Sequence, residues 1–336
     1  MMKIITNANT DPHFNLAAEE YFMSVAATDI FMLWRNAPAV IIGKNQNAWA
    51  EVNVPYAEEN KITVVRRLTG GGAVFHDLGN VNFTFITKAD KDLTLDFARF
   101  TEPVIAALGK LGVRAELSGR NDILADGAKI SGNAQCVYKQ PNGNEVMLHH
   151  GTLLFSADMK NLIGALNVRA EKIQSKGISS IKSRVKNIRD LLPGNDESRM
   201  SADEFLTYLT NAFCERYQTK ARALSDEETA EITKLRDEKY ARWEWNFGQS
   251  KQYGKTRGNK FDFGWLEIML TADAGIVQNV KIHGDFFGFG DVSEIESALT
   301  GVKFTGSEAS KALAQVNIEK IISGCTSDNI LSLMFE

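Results

Sequence analysis

Four groups of polar residues in the first half of the chain have the types and spacing to do chemistry together. One is the pair Arg66-Arg67, followed by Leu68-Thr69, the triplet Gly70-Gly71-Gly72 and then Ala73-Val74-Phe75-His76-Asp77. The others are Asn121-Asp122, Lys129 in Lys-Ile-Ser-Gly, and His149-His150. Glycine lets the backbone take positive φ and lie close to a ligand. Successive free N–H groups in such a loop form an anion-binding concavity, and Arg67 adds a planar fork for phosphate or carboxylate. Lys129 is a compact, mobile positive charge. Between a carboxylate and an α-phosphate, it orients the attack and offsets charge on the pentavalent centre. Asp122 suits Mg²⁺, which prefers a carboxylate plus phosphates and waters. Together the groups suit an anionic nucleotide and a second anionic substrate.

Taken singly, each group also has an ordinary reading. A glycine triplet makes a tight turn. A strand-edge lysine is usually an exposed gatekeeper, an aspartate caps a turn through its own side chain, and a histidine beside a strand is more often packed than functional. There is no G-x-x-x-x-G-K-[ST] and no G-x-G-x-x-G between a strand and a helix. Five histidines without H-x-x-x-H spacing or a cysteine partner argue against zinc. No Ser-His-Asp set follows from spacing.

The elements that must position these groups read as α+β rather than a doubly wound sheet. A β-branched strand at 62–65 feeds the glycine loop. Ala73-Val74-Phe75 re-enters a strand, Asp77-Leu78-Gly79-Asn80 turns, and 81–86 is expected as the partner strand of a hairpin. Upstream, Asp11-Pro12 starts a helix over 13–25. Phe14, Ala17, Ala18, Tyr21, Phe22 and Val25 should form its buried stripe, with Glu19-Glu20 on its wet face. Strands are expected at 30–34 and 39–42, and a short helix at 56–59. Downstream come a helix over 96–111, strands at 115–117 and 123–124, one beginning at 128, and one over 149–155. Short helical pieces follow at 161–166 and 170–176. Ser201 and Ser225 open two further helices, the first through a capping box. Beyond a boundary near Trp243-Glu244-Trp245-Asn246-Phe247-Gly248 lie a hairpin (264–271 and 276–283) and helices over 291–299, 307–322 and 326–335.

A chain of 336 residues carries two domains by length. Hydrophobic content of 44% and charged content of 24% are ordinary for a globular protein. A formal net charge of -4 gives no reason to expect nucleic acid. Cys136, Cys214 and Cys325 are far apart, which suggests reduced thiols in the cytoplasm. No apolar run is long enough to span a bilayer, and the first residues carry no signal-peptide core.

Arg66-Arg-x-x-Gly-Gly-Gly-Ala-Val-Phe-His-Asp-x-Gly-Asn80 resembles the signature of the lipoate–protein ligases. So do Gly119-Arg-Asn-Asp122, Lys129-x-Ser-Gly132, His149-His-Gly-Thr152 and Ser183-Arg-Val185. The resemblance extends to Asp11-Pro-x-Phe-Asn15 and Trp243-x-Trp-Asn-Phe-Gly248. It implies the bacterial single-chain form: a large catalytic α+β domain of the biotin/lipoate ligase type, here 1–243, and a smaller C-terminal α+β accessory domain, here 244–336. It implies a reaction in two steps. ATP and lipoate give lipoyl-AMP and pyrophosphate, and a lysine of an acceptor domain then takes the lipoyl group as an amide. The implied roles fall on matching positions. Lys129 contacts the lipoate carbonyl and the α-phosphate, and Arg67, Gly72, Ala73, Val74 and Phe75 hold the nucleotide. Trp34, Gly72, His76 and His150 line the lipoate pocket, and Asp122 is the Mg²⁺ ligand. The implied partners are lipoyl domains of 2-oxoacid dehydrogenase E2 subunits and the glycine cleavage H protein, with no nucleic acid and no membrane. Burying each methylene of the lipoyl tail is worth about 0.8 kcal/mol, so an apolar tunnel should end at Lys129. Two alternatives remain open. One is an octanoyltransferase of the same fold, which uses a cysteine nucleophile and no ATP; this chain has no cysteine over 117–123. The other is a non-catalytic acyl-carrier-binding regulator.

Overall fold

The chain is seen in a computed structural model, in which residues 2–89, 95–119, 121–167, 185–194, 200–248, 255–273 and 275–335 are described. The 170–176 stretch, Arg120, Ser183 and Arg184 lie outside them. The first ten strands are β1 (Lys3–Thr6), β2 (Ile30–Trp34), β3 (Ala39–Ile42), β4 (Thr63–Arg66), β5 (Val74–His76), β6 (Asn80–Lys88), β7 (Ala115–Ser118), β8 (Asp122–Ala125), β9 (Ala128–Lys139) and β10 (Glu145–Leu154). Then follow β11 (Ala221–Arg222), β12 (Lys255–Phe261), β13 (Gly264–Asp273) and β14 (Ile276–Gly284). They form an eight-stranded sheet in the order β11-β1-β2-β6-β10-β9-β8-β7 and two three-stranded sheets, β4-β3-β5 and β12-β13-β14.

The large sheet is covered on both faces. Phe83 and Phe85 of β6 point into one core with Phe100, Leu108, Phe205 and Phe213 from the helices Phe97–Lys110 and Ala202–Arg216. Ile86 points the other way, into a core with Phe14, Phe22 and Trp34 under the helix Pro12–Val25. Asp11 caps that helix, and Ser201 and Ser225 form full capping boxes on theirs, each satisfying N–H groups that the helix start leaves free.

The expected hairpin does not form. β5 pairs antiparallel with β3, whereas β6 pairs with β2 on one edge and β10 on the other. The turn between them hands the chain from the small sheet to the large one. Asp77 accepts from the Gly79 and Asp158 N–H groups at 2.8 and 2.7 Å. A Cβ on Gly79 would stand 2.2 Å from the Ser156 carbonyl oxygen. The physical reason is burial. β6 is buried from Asn80 to Thr87 without alternation, which calls for a central strand, and three-residue β5 can satisfy only a fraction of its length.

The helix Pro12–Val25 also differs from its expected faces. Val25 is 53% exposed, and Glu19, assigned to the wet face, is 3% exposed. The 307–322 helix divides into Gly306–Leu313 and Ile318–Ile321, because Asn317 caps a new start by accepting from the Lys320 N–H. β12 has no counterpart in the expected elements. With β13, β14 and the last helices it encloses a core of its own, including Leu266, Ile282, Phe286, Leu299 and Ile330. Among the described residues no helix is long and apolar enough to cross a membrane.

The short helix Trp243–Asn246 is fastened to β4 by Arg66. Arg66 is fully buried, and each nitrogen of its guanidinium meets a backbone oxygen: Nε donates to Trp245, Nη1 to Gly43, Lys44 and Gln46, and Nη2 to Asn246. Lysine keeps the charge but has three donors at one point instead of a five-donor fork. Arg66→Lys should therefore strand buried carbonyls and destabilise the fold by about 3 kcal/mol or more, at about 1–3 kcal/mol for each unpaired group. Urea unfolding of the two proteins measures this, and a difference under about 1 kcal/mol would show that water replaces the fork.

Candidate active site

The glycine loop takes its shape from Arg67. Its Nε donates to Thr69 Oγ1 at 2.9 Å, Nη1 to the Ile41 carbonyl at 3.0 Å, and Nη2 to the carbonyls of Gly70 and Gly72 at 2.7 and 2.8 Å. The fork thus grips its own loop. Gly71 has φ +90°, which a side chain would resist, and Gly70 has no room for one: a Cβ would lie 2.2 Å from the Phe286 carbonyl. Burial pulls the Arg66 and Arg67 guanidiniums down to about 10, so both stay charged at neutral pH.

From Arg67 a hydrogen-bond chain runs into the apolar pocket. Thr69 Oγ1 accepts from Arg67 and is hydrogen-bonded to His150 Nε2, 2.8 Å away. His150 Nδ1 then donates to Glu19, at 2.9 and 3.0 Å from its two oxygens. Thr84 donates to the same carboxylate at 2.6 Å and accepts from Trp34 Nε1 at 3.0 Å. Indole, hydroxyl, carboxylate and imidazole are each satisfied by another, so this wall is chemically quiet despite its polar atoms. Glu19, Thr69 and Thr84 were not singled out from the sequence. A signal for Glu19 existed: Asn15, Glu19 and Phe22 share one face at helical spacing.

Lys129 reaches the site through a β-bulge. Across β8, Ile123 pairs with Ser131 but Leu124 pairs with Lys129, so Ile130 is the extra residue. In a regular strand residues 129 and 132 point to opposite faces; one inserted residue puts them on the same face. Gly132 leaves the room required, since a Cβ there would stand 3.0 Å from Lys129 Nζ. Asp122 Oδ1 holds Nζ at 2.8 Å, with both side chains about one-third exposed (34% and 37%).

These parts enclose a cavity of about 250 Å³. Of the residues expected at the site, Trp34, Arg67, Gly72, Ala73, Val74, His76, Lys129 and His150 line it. Phe75 does not: it packs with Val40, Ile42 and Leu154 in the core beneath the small sheet. Asp122 also stands outside the lining and meets the cavity through Lys129. Phe287 closes one side. It packs with Phe97 and Ala134, while the neighbouring Phe286 carbonyl accepts from the Gly71 N–H at 3.3 Å. Asn45 accepts from Gly284 at 2.8 Å and Lys44 pairs with Asp291 at 3.1 Å, so the loop after β14 lies directly over the glycine loop.

The lipoyl protein ligase A/B catalytic domain family matches residues 11–214, and the bacterial lipoate protein ligase C-terminus family matches 250–334. Lipoate-protein ligase LplJ of Bacillus subtilis is 43% identical over 99% of this chain and 100% of its own length. The chain belongs to the lipoate–protein ligases. Two solved structures agree. One is a bi-partite lipoate protein ligase of Thermoplasma acidophilum, described with its E2 lipoyl domain; it is 29% identical with a TM-score of 0.63, over 76% of this chain and 99% of that one. The other is a lipoate-protein ligase A bound with ATP, 28% identical with a TM-score of 0.57, over 74% of this chain and 98% of that one.

Two histidines of this ligase are held neutral. His149 is buried among Phe83, Phe85, Phe97 and Phe100, with Gln135 Nε2 2.9 Å from its Nδ1. Burial, and then the neighbouring His150, hold it well below its ordinary value. Burial, with the charge of Arg67 and then His150, pulls His76 down to about 3. Below pH ~6.5 the unfolded chain takes up protons at both histidines and the folded one does not, so stability falls with pH down to about 3 at His76. Each histidine adds up to about 1.4 kcal/mol per pH unit to the slope. Denaturant unfolding of wild type and His149→Phe at pH 7, 6 and 5 should give a variant slope shallower by about one proton. Parallel slopes would show that His149 titrates in the folded state.

Proposed function

We propose that this chain activates lipoate with ATP to give lipoyl-AMP and pyrophosphate, and then passes the lipoyl group to a lysine of an acceptor lipoyl domain. The observation that carries this reading is the make-up of one cavity. Leu16, Trp34, Ile41, Val74 and Ala134 supply an apolar wall fit for an acyl tail, and the glycine loop and Lys129 line the same space. Lys129 Nζ would sit between the carboxylate and the α-phosphate and offset the charge that develops as one attacks the other. Gly72, Ala73 and Val74 would lie along the nucleotide, with Arg67 holding their loop rather than gripping phosphate directly. Trp34, His76 and His150 would bound the lipoyl group.

Mg²⁺ fits the donor set in one way. Among the described residues no three His, Cys, Asp or Glu side chains converge on a metal position. Mg²⁺ with a nucleotide needs only one or two carboxylates, because phosphates and waters fill the rest. Asp122 can be that carboxylate, and the ion would supply charge neutralisation at the phosphates.

The acceptors would be the lipoyl domains of 2-oxoacid dehydrogenase E2 subunits and the glycine cleavage H protein. Dependence on ATP and on such acceptors supports a cytoplasmic site of action. The octanoyltransferase alternative needs a thiolate, and burial pushes the Cys136 thiol up to about 12. Lys129→Ala should abolish lipoate-dependent pyrophosphate release, a loss of about 2.7–4 kcal/mol in the transition state, while its melting temperature stays near the parent's. Pyrophosphate release at the parent rate would remove Lys129 from the chemistry.

We further take the division to lie near residue 243, with 244–336 acting as a cover. Adenylation makes a mixed anhydride that water destroys, whereas transfer needs the site open to a lysine. Phe287 and the Phe286 carbonyl cover the site in this structure. Trp245 and Asn246 complete Arg66, so a cut that preserves the catalytic part falls after Gly248. A folded chain ending there should make lipoyl-AMP poorly but still transfer lipoate from adenylate supplied ready-made. Running both half-reactions decides it: intact adenylation with lost transfer would make the part after Gly248 an acceptor-docking unit instead.

A further inference from the structure

One wall of the cavity comes from far along the chain. Among the described residues, its lining runs from Leu16 to Thr152, and then Phe287 alone comes from beyond Gly248. A Phe-Phe step puts it there. Phe286 is fully buried in the core of β12 to β14, with Leu266, Ile282 and Ile330. Its successor lies on the larger body instead, against Phe97 and Ala134, and is only 2% exposed. The backbone of the step is held from both sides. The Ser323 N–H donates to the Phe287 carbonyl at 2.9 Å, and the Gly71 N–H donates to the Phe286 carbonyl at 3.3 Å. Glycine at 70 and 71 is what admits this approach. Cβ atoms there would stand 2.2 Å from the Phe286 carbonyl oxygen and 3.0 Å from the Phe287 ring.

The ring therefore stands between the glycine loop and the strand that carries Lys129. On one side it lies against Gly71. On the other it packs on Ala134, which shares a strand face with Gly132, two residues and about 7 Å away. Lys129 Nζ stands over Gly132, 3.0 Å from where a Cβ would be. We propose that Phe287 is the residue that shields the acyl adenylate from water. The proposal rests on the ligase reading, and it names the group through which the cover acts. The step it prevents is hydrolysis. A water oxygen joins the acyl carbon, the bond from that carbon to the phosphate oxygen breaks, AMP leaves with the electron pair, and protons pass to solvent. Lipoate is returned, so each round only splits ATP into AMP and pyrophosphate. A phenyl ring suits the task, because it offers water no hydrogen-bonding atom and cannot itself attack the anhydride. Removing it opens more than the roughly 30 Å³ that one water occupies, beside the Lys129 ammonium and the loop backbone, where a water finds polar partners.

The test uses the full-length protein with lipoate and ATP, first without an acceptor. The wild type should release about one pyrophosphate per enzyme and then slow, because the shielded adenylate waits. Phe287→Ala should show the burst followed by continuous release, at least about tenfold faster than the wild type's, with AMP accumulating and lipoate unconsumed. With an unlipoylated E2 lipoyl domain added, the pyrophosphate released per domain modified should rise above that of the wild type. Phe287→Leu keeps an apolar filler and should stay coupled, and Phe287→Val should fall between. The Leu and Val variants carry the test if Phe287→Ala does not fold. Asp291→Asn breaks the pair with Lys44 but keeps the acceptor for the Ser293 N–H and leaves the ring in place, so it should stay coupled too. A leak from Asp291→Asn equal to that of Phe287→Ala would make the whole loop the seal and overturn the proposal. So would intact lipoyl-AMP in a protein-free filtrate, which makes the ring a retainer, or loss of the burst itself, which places the ring in activation. A faster burst at lower ATP with no leak would show a plug that ATP displaces. A fully coupled alanine variant removes the proposal alone, whereas a wild type that releases no pyrophosphate removes the ligase reading and the proposal with it.

Discussion

Two adjacent guanidiniums, buried with backbone oxygens as their solvent, hold this site together. A buried charge without compensation is prohibitive, and among the described residues neither Arg66 nor Arg67 has a hydrogen-bonded carboxylate partner. Carbonyls converge on each instead: from residues 43, 44, 46, 245 and 246 on Arg66, and from 41, 70 and 72 on Arg67. Since the charge demands those oxygens, the segments that carry them have little freedom. The loop after β3, the glycine loop and the Trp243–Asn246 helix are thereby fixed relative to β4. The glycine loop is shaped by a cation turned into its own backbone, so Arg67 has few donors left for anything else.

The pocket behind that loop follows a second rule. The cavity has an apolar wall, yet the large sheet brings His150 to it with Thr84 beside it, and the helix Pro12–Val25 sets Glu19 behind them. Their mutual hydrogen bonds cancel the polarity, and Thr69 ties the chain to the glycine loop. A ligand that displaced Thr69 would disturb Arg67 and His150 together, so the glycine loop and the pocket behind it share one set of bonds.

Much of this was legible in the residues. The glycine run after two arginines, the capping residues Asp11, Ser201 and Ser225, and the order of the motifs carried the fold class and most of the cavity lining. What was not legible was parity and pairing. Nothing local in Ala128-Lys129-Ile130-Ser131-Gly132 says that Ile130 is bulged, so the face on which Lys129 emerges appears only once β8 lies beside it. Val74-Phe75-His76 and the strand after it look like a hairpin because a turn joins them. Which sheet each strand joins is decided by β2, β3 and β10, far along the chain. Phe75 was placed with the nucleotide by the resemblance of its motif, which does not say which way a strand residue points; here it points into the core beneath the small sheet. Glu19 was misplaced because a carboxylate on a helix is usually wet, and its partners, Thr84 and His150, are 65 and 131 residues away.

Two sets of polar contacts, one at the segment 243–248 and one at the loop after β14, hold to the larger body with unlike strength. At Trp245 and Asn246 the contact is a buried fork, and removing it strands several carbonyls at about 1–3 kcal/mol each. At residues 284 to 291 the polar contacts are single bonds: Gly284 to Asn45, Gly71 to Phe286, and the half-exposed pair of Lys44 and Asp291. Each of those is replaceable by water at a net cost of about 1 kcal/mol or less. Phe287 adds an apolar seal against Phe97 and Ala134. The segment 243–248 is thus anchored more firmly than the loop after β14. The order of strength follows from where the charge is buried: it lies under residues 245 and 246, whereas the loop after β14 adds polar bonds that water can replace and one apolar seal.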